Sequence, residues 1–282
     1  MIVSERRTKA FQVFKKSQTA IIGLIIISIL ILSAIFANVL SPYDPVKQNR
    51  KDQYAPPGSK YHLGADVFGR DILSRLIYGT RIAIFVGIIP VLIAGVFGGM
   101  LGIIAGYSRG FTESIIMRAA DLLLSFPSLL LGILVVVAIG SGISKLIIAI
   151  SIALFPRFIR LSRSSTLAIK ERDSIEASRA IGCSSFRIMI FHIMPSLVSE
   201  IIVMGTLWIA TAIRIEASLS FLGLGTQPPT PSWGRMLRDG VESMLFTPWQ
   251  AIFAGLFIML AILGFNLIGD GLRDSLDPKL QA

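Results

Sequence analysis

Two histidines, His62 and His192, and one cysteine, Cys183, are the only imidazole and thiol groups in this 282-residue chain. Neither histidine belongs to an H-E-x-x-H pattern, and the two fall on opposite sides of the membrane in the reading below, so they share no metal. No G-x-S-x-G nucleophile elbow and no G-x-x-x-x-G-K-[ST] phosphate loop occurs. Gly223-Leu224-Gly225 follows no expected strand and opens no expected helix, so it is no nucleotide fingerprint. A lone cysteine excludes an intrachain disulfide, and Cys183 reads as a small packing residue. The chain is expected to hold no catalytic residue, metal or cofactor of its own.

What remains is the chemistry of charge set among apolar residues. Glu176-Ala177-Ser178-Arg179-Ala180-Ile181-Gly182 combines helix formers with a glycine suited to the left-handed residue that ends a helix. Ser184-Ser185 then offers an N-cap for a second short helix over 186–194, stopped near Pro195. Small residues allow a partner surface to come close, and Glu176, Arg179 and Arg187 can pair with it. Arg118 and Asp121 stand one turn apart and can neutralise each other. Arg214 and Glu216 fall near the end of an apolar run, where a charge is a candidate for a transport path or an outer gate. Asp66, Arg70, Asp71 and Arg75 read as a solvated ion-pair cluster that orders a loop.

The elements that must position these residues are apolar and long. The chain is 53% hydrophobic and 16% charged, where a soluble domain carries about a quarter charged residues. Its mean hydropathy is +0.73. Six runs approach the roughly 20 residues that a bilayer-spanning helix needs: 19–40, 82–107, 114–139, 143–161, 197–213 and 249–268. The backbone satisfies its own hydrogen bonds in lipid only as a helix or a closed barrel. The expected class is an all-α membrane protein. The first run, 22 residues, exceeds the 7–15 of a signal peptide and has no clear A-x-A site, so it is retained. The fourth is the least regular: its uninterrupted apolar core, 146–155, gives way at Pro156, Arg157 and Arg160, and ten such residues fit a re-entrant or interfacial segment equally well.

Loop charge orients the bundle. The tail 1–18 carries Arg6, Arg7, Lys9, Lys15 and Lys16 against Glu5, and the loop 157–195 carries seven Lys/Arg against three acids. Six spans put both on one side, and excess positive charge makes that side, with both termini, cytoplasmic. The loop 41–80 carries six Lys/Arg and four Asp, yet lies outside in this arrangement. The net charge of +10 reports orientation and contact with anionic lipid rather than nucleic acid. Within loop 41–80, residues 71–78 read as a short amphipathic helix leading into the second span. The prolines and glycines of 222–247 read as irregular backbone. Gly98, Gly102 and Gly106 repeat every four residues, placing bare backbone along one helix face for close packing.

The run Glu176-Ala177-Ser178-x3-Gly182, followed by His192-Ile193-Met194-Pro195, resembles the EAA motif of ABC-importer permeases, E-A-A-x3-G-x9-I-x-L-P. Ser178, His192 and Met194 depart from the pattern. His62-Leu63-Gly64-Ala65-Asp66-x-x-Gly69-Arg70-Asp71-x-x-Ser74-Arg75 is similar to the outside segment of dipeptide and oligopeptide importer permeases. So are the run Glu216–Gly225, its continuation to Trp233-Gly234, and the run from Phe265-Asn266 to Asp277-Pro278. Four motifs in order, over nearly the whole chain, resemble the C-type permease subunit of dipeptide, oligopeptide and nickel ABC importers. The resemblance implies a type I importer fold, with a first helix at 19–40, a permease core at 81–272 and a tail at 273–282. It implies a coupling helix on which two ATPase subunits dock through Glu176, Ala177, Ser178, Arg179, Gly182 and Pro195. Those ATPases bind ATP and Mg. A second, B-type permease and an extracytoplasmic solute-binding protein complete the machine in a bacterial or archaeal cell membrane. Nickel or glutathione remain alternative cargoes. An ion-coupled secondary transporter would call for broken helices, mid-membrane charges and repeats; an intramembrane enzyme would call for a nucleophile–base or metal site.

Overall fold

The computed structural model describes residues 14–15, 17–108 and 110–276, so most of the basic N-terminal tail and the C-terminal tail from 277 lie outside the described residues. Apolar composition leaves the backbone to bond within itself, and the described chain is helical almost throughout. The helices are α1 (Gln18–Ile35), α2 (Ala37–Leu40), α3 (Ile72–Ile93), α4 (Gly99–Tyr107), α5 (Phe111–Leu124) and α6 (Ser128–Ile139). They continue with α7 (Ile143–Lys170), α8 (Asp173–Ala180), α9 (Ser185–Ile188), α10 (Met194–Phe221), α11 (Trp233–Glu242) and α12 (Trp249–Leu276). π-helical turns at Ala94–Gly98 and Met189–Ile193 join α3 to α4 and α9 to α10 without a break. Four runs are long and apolar enough to cross a membrane: Gln18–Ile35, Ile72–Tyr107, Ser185–Phe221 and Trp249–Ser275.

Several expectations change. The third run is not one straight span, because α5 and α6 meet at 94° across a break that ends in Pro127. The residue before a proline is pushed out of the helical region, which ends α5 there. Counted together, the pair makes a fifth crossing. The long helix α7 passes straight through Pro156 and carries Arg157, Arg160 and Arg163, so it does not qualify on apolarity. Pro195 does not end a helix either. It follows directly on the π-helical turn Met189–Ile193, whose shifted hydrogen-bond register accommodates a residue with no N–H, and α10 runs on through it. Residues 71–78 form no separate helix; Asp71 caps α3, accepting from Ser74 N at 2.7 Å, and the helix runs on into the span. Residues 222–247, expected to be irregular, contain α11, capped by Ser232.

Three cores hold the bundle. One joins α1, α3, α10, α11 and α12 around Leu76, Ile213, Trp233 and Phe265. A second packs α3, α6, α7 and α10 around Val86, Leu154, Phe158 and Leu219. The third, at the foot, gathers Ile103, Ile169, Ile175, Ile188, Ile193 and Leu197. The glycine face packs on α7. A Cβ at Gly102 would lie 2.5 Å from the Ile159 carbonyl and 2.7 Å from Ser162 Cβ. At Gly106 it would lie 2.7 Å from Thr166 Cβ, and at Gly98 3.0 Å from the Phe155 carbonyl. The partner helix is therefore this chain's own α7. Gly102→Val should lower the detergent melting temperature of the purified protein, at about 1–3 kcal/mol of overpacking. Gly205→Ala, whose Cβ meets nothing nearer than 3.6 Å, should not. Equal melting of the two variants would show that the α4–α7 contact yields freely.

Candidate functional site

The segment 173–195 lies at the foot of the bundle, where α4 and α7 both end. α8 presents two faces. Ile175 and Ser178 turn inward, and Ile175 joins the foot core. Glu176, Ala177, Arg179 and Ala180 are exposed. The Arg179 guanidinium lies 5.2 Å from the centre of the Tyr107 ring at the end of α4. Lys170, buried at the end of α7, donates to the Gly106 carbonyl at 2.8 Å, a cation on the carbonyl end of α4. These contacts fix the loop to both helices of the glycine seam.

Gly182 ends α8 with φ +85°, and its N–H donates to the Arg179 carbonyl at 2.9 Å. Ser184 caps the next helix, accepting from Arg187 N at 3.4 Å. The turn turns apolar side chains outward: Ile181 is 81% exposed, Phe186 69% and Phe191 68%. These large apolar side chains, flanked by Glu176 and Arg187, are left uncovered by the chain itself. Sequence reasoning found the charges and missed these three, since apolar side chains stand out only once the neighbours that fail to cover them are known.

The charged candidates separate. Glu216 is buried inside α10's packing and accepts from Ser220 Oγ at 2.7 Å, whereas Arg214 is exposed on another face of the same helix. The expected Arg118–Asp121 pair does not form: Asp121 pairs instead with Arg160 of α7, at 2.6 Å. Arg163 pairs likewise with Glu113.

At the opposite end, the loop 41–71 forms a clasp, and the cluster expected to be solvated is buried. Asp66, 0% exposed, accepts from Phe68 N at 2.8 Å, Arg70 N at 2.9 Å and Arg70 Nε at 2.6 Å. Arg75, 2% exposed, lies 3.5 Å from Asp66 and donates to the Pro45 carbonyl at 3.0 Å. Trp233 of α11 closes over this layer, its indole N–H donating to the Leu76 carbonyl at 2.9 Å. Asp239 on α11 shares the neighbourhood; burial pushes its carboxyl up, against the pull of Arg235 and Arg75. Among the described residues, no three His, Cys, Asp or Glu side chains converge as a metal would need.

Residues 98–282 match the family described as "Binding-protein-dependent transport system inner membrane component", and residues 7–57 match the "N-terminal TM domain of oligopeptide transport permease C". The dipeptide transport system permease protein DppC of Alkalihalophilus pseudofirmus is 44% identical over 274 residues, 97% of this chain and 90% of the relative. The glutathione transport system permease protein GsiD of Pectobacterium atrosepticum is 43% identical over 270 residues, 95% of this chain and 90% of the relative. In fold, the chain is similar to a chain of the MetNI methionine ABC transporter in an inward-facing conformation. That likeness has a TM-score of 0.59 at 16% identity, and covers 72% of this chain and 97% of the other. Helical bundle, motif order and full-length relatives agree: the chain belongs to the binding-protein-dependent transport system inner membrane components, as a C-type permease of an ABC importer.

Proposed function

We propose that this chain, with a second, B-type permease, encloses the translocation path of an importer for di- and oligopeptides, and that two ATPase subunits drive it through the segment 173–195. The observation that carries this reading is the exposed ridge of Ile181, Phe186 and Phe191, set beside Glu176 on a loop anchored by Ile175. A ridge fixed to both α4 and α7 transmits a push; a loosely tethered one would absorb it. Ala177 allows close approach, Ser178 turns inward and donates to the Ser174 carbonyl, Arg179 ties the ridge to α4, and Pro195 marks where it passes into α10. Gly98, Gly102 and Gly106 keep α4 and α7 moving as one body. The chain itself does no catalysis and binds no cofactor; ATP and Mg belong to the ATPases, and a solute-binding protein delivers cargo outside.

Positive charge on the tail and on 157–195 supports a cytoplasmic placing for both. A largely apolar groove of about 330 Å³ between the α3–α4 run and α10, bordered by Leu92, Met100, Val198 and Ile202, offers surface to the second permease. The dipeptide relative favours peptide cargo, and the glutathione relative supports glutathione as the second reading.

Affinity purification of the detergent-solubilised chain tests the assembly. It should recover a second permease and P-loop ATPases. Glu176→Lys should shed the ATPases and keep the permease. A chain that comes down alone, under conditions that preserve a known importer, sinks the proposal.

A further inference from the structure

At the clasp end of the bundle, α1 finishes against α3, and a groove of about 340 Å³ runs between them. Ala34 and Ile35 of α1 line it, with Ile84, Phe85 and Ile88 on one face of α3 and Arg81 a turn above them. Ile35 and Phe85 are exposed, and so is Val39 of α2 close by. Arg81 is the last charged residue before the apolar run 82–107. From Arg81 to Tyr107 the helical rise is about 39 Å, which covers a hydrocarbon layer of about 30 Å. Arg81 therefore stands at the edge of the membrane, with the groove below it in the hydrocarbon.

The guanidinium is fixed in place but not neutralised. Its Nε donates to the Ala34 carbonyl at 2.6 Å and one Nη to the Ile35 carbonyl at 3.4 Å, a cation on the carbonyl end of α1. It lies 5.0 Å from the centre of the Tyr78 ring, whose hydroxyl donates to Asn38 at 2.9 Å. Among the described residues no carboxylate pairs with Arg81, and its other Nη has no acceptor. The end of a helix offsets only about half a charge, so the rim of the groove stays positive.

We infer that this groove is a binding site for one anionic phospholipid of the leaflet at the clasp end. A phosphate oxygen accepts from the free Nη of Arg81, and an acyl chain lies along Ile84, Phe85 and Ile88. A guanidinium fork matches phosphate, and the order of side chains is that of the lipid itself: arginine and tyrosine at headgroup level, isoleucine and phenylalanine beneath. The charge at the rim also separates this groove from the one between the α3–α4 run and α10, which no charged side chain lines. A protein helix seated on Arg81 would have to bring a carboxylate to the membrane edge; every phospholipid brings a phosphate. A zwitterionic headgroup adds a cation beside the guanidinium, which favours a lipid of net negative charge.

The test uses the complete transporter in nanodiscs of phosphatidylglycerol and phosphatidylcholine in equal amounts, with retained lipids counted by native mass spectrometry. The wild type should keep a phosphatidylglycerol that Arg81→Gln keeps about fivefold less often, the loss of one cation at the membrane surface. Arg81→Lys should fall between. Ala34→Trp fills the groove and leaves the guanidinium, and should lose the same lipid. Retention equal to wild type in both Arg81→Gln and Ala34→Trp overturns the inference. So does a wild type that keeps phosphatidylcholine as well as phosphatidylglycerol, since the headgroup charge is then not read. Inorganic phosphate that displaces the lipid at equal concentration also overturns it, by making the guanidinium a site for any free anion. Loss of the second permease from Arg81→Gln overturns it too, by making the groove a contact between subunits.

Discussion

Replacing Gly182 by proline should cut ATP-driven uptake at least tenfold while the chain still inserts and is recovered from the membrane. Three constraints meet at this residue. Its φ of +85° is unreachable for a ring fixed near −65°. Its N–H bonds the Arg179 carbonyl, and proline has none to give. Ile181 before it has φ −83° and ψ 7°, a conformation that a following proline disfavours. Together these cost about 3 kcal/mol or more locally. The open surroundings of Gly182 let the turn rearrange without unfolding the bundle. The outcome is a misdirected ridge: Ile181 and Phe186 no longer present the surface that the ATPases would grip. Gly182→Ala separates the causes, since it keeps the N–H and adds only the left-handed strain of about 1–2 kcal/mol, so uptake should fall less. The quantity to follow is solute moved per ATP hydrolysed. Wild-type coupling in the proline variant would remove the mechanical role of this loop.

The second large effect is on stability. Asp66→Ala should cost about 3–5 kcal/mol, because it leaves the Arg70 and Arg75 guanidiniums buried without their counter-charge. Asp66 also holds the turn through Phe68 N and Arg70 N, so the clasp loses its geometry along with its charge. The check is thermal unfolding of the purified protein in detergent, with limited proteolysis reporting where it opens. New cleavage within 41–71, at temperatures where the helices remain protected, is the expected pattern. Asp66→Asn should retain part of the turn and lose the charge, falling between. Wild-type melting in Asp66→Ala would mean that water reaches both arginines.

The sequence was most legible where local patterns decide structure. The apolar runs become helices, Ser184 caps the helix expected after it, and the four-residue glycine spacing lays bare backbone against α7. It was least legible where a neighbour decides. Pro195 looked like a stop, but the π-helical turn Met189–Ile193 just before it resets the hydrogen-bond register and the helix goes on. Pro127 does break its run, yet an apolar stretch on both sides hid the 94° turn. Asp66, Arg70, Asp71 and Arg75 were visible as a charged cluster, but its burial involves distant segments: Pro45 reaches Arg75, and Trp233 reaches the Leu76 carbonyl beside it.

The unbroken course from Ser185 to Phe221 has a mechanical consequence. A rod of 37 residues is about 55 Å long. Hinged at its foot, it moves its far tip by roughly 1 Å for each degree of tilt. One end of this rod carries the ridge of Phe186 and Phe191, and Arg214 stands most of the way toward the other. A rotation too small to disturb the packing at the foot is enough to move the far end of α10, near Phe221, by the width of a water molecule. Had Pro195 broken the helix, the same motion would have dissipated in a joint.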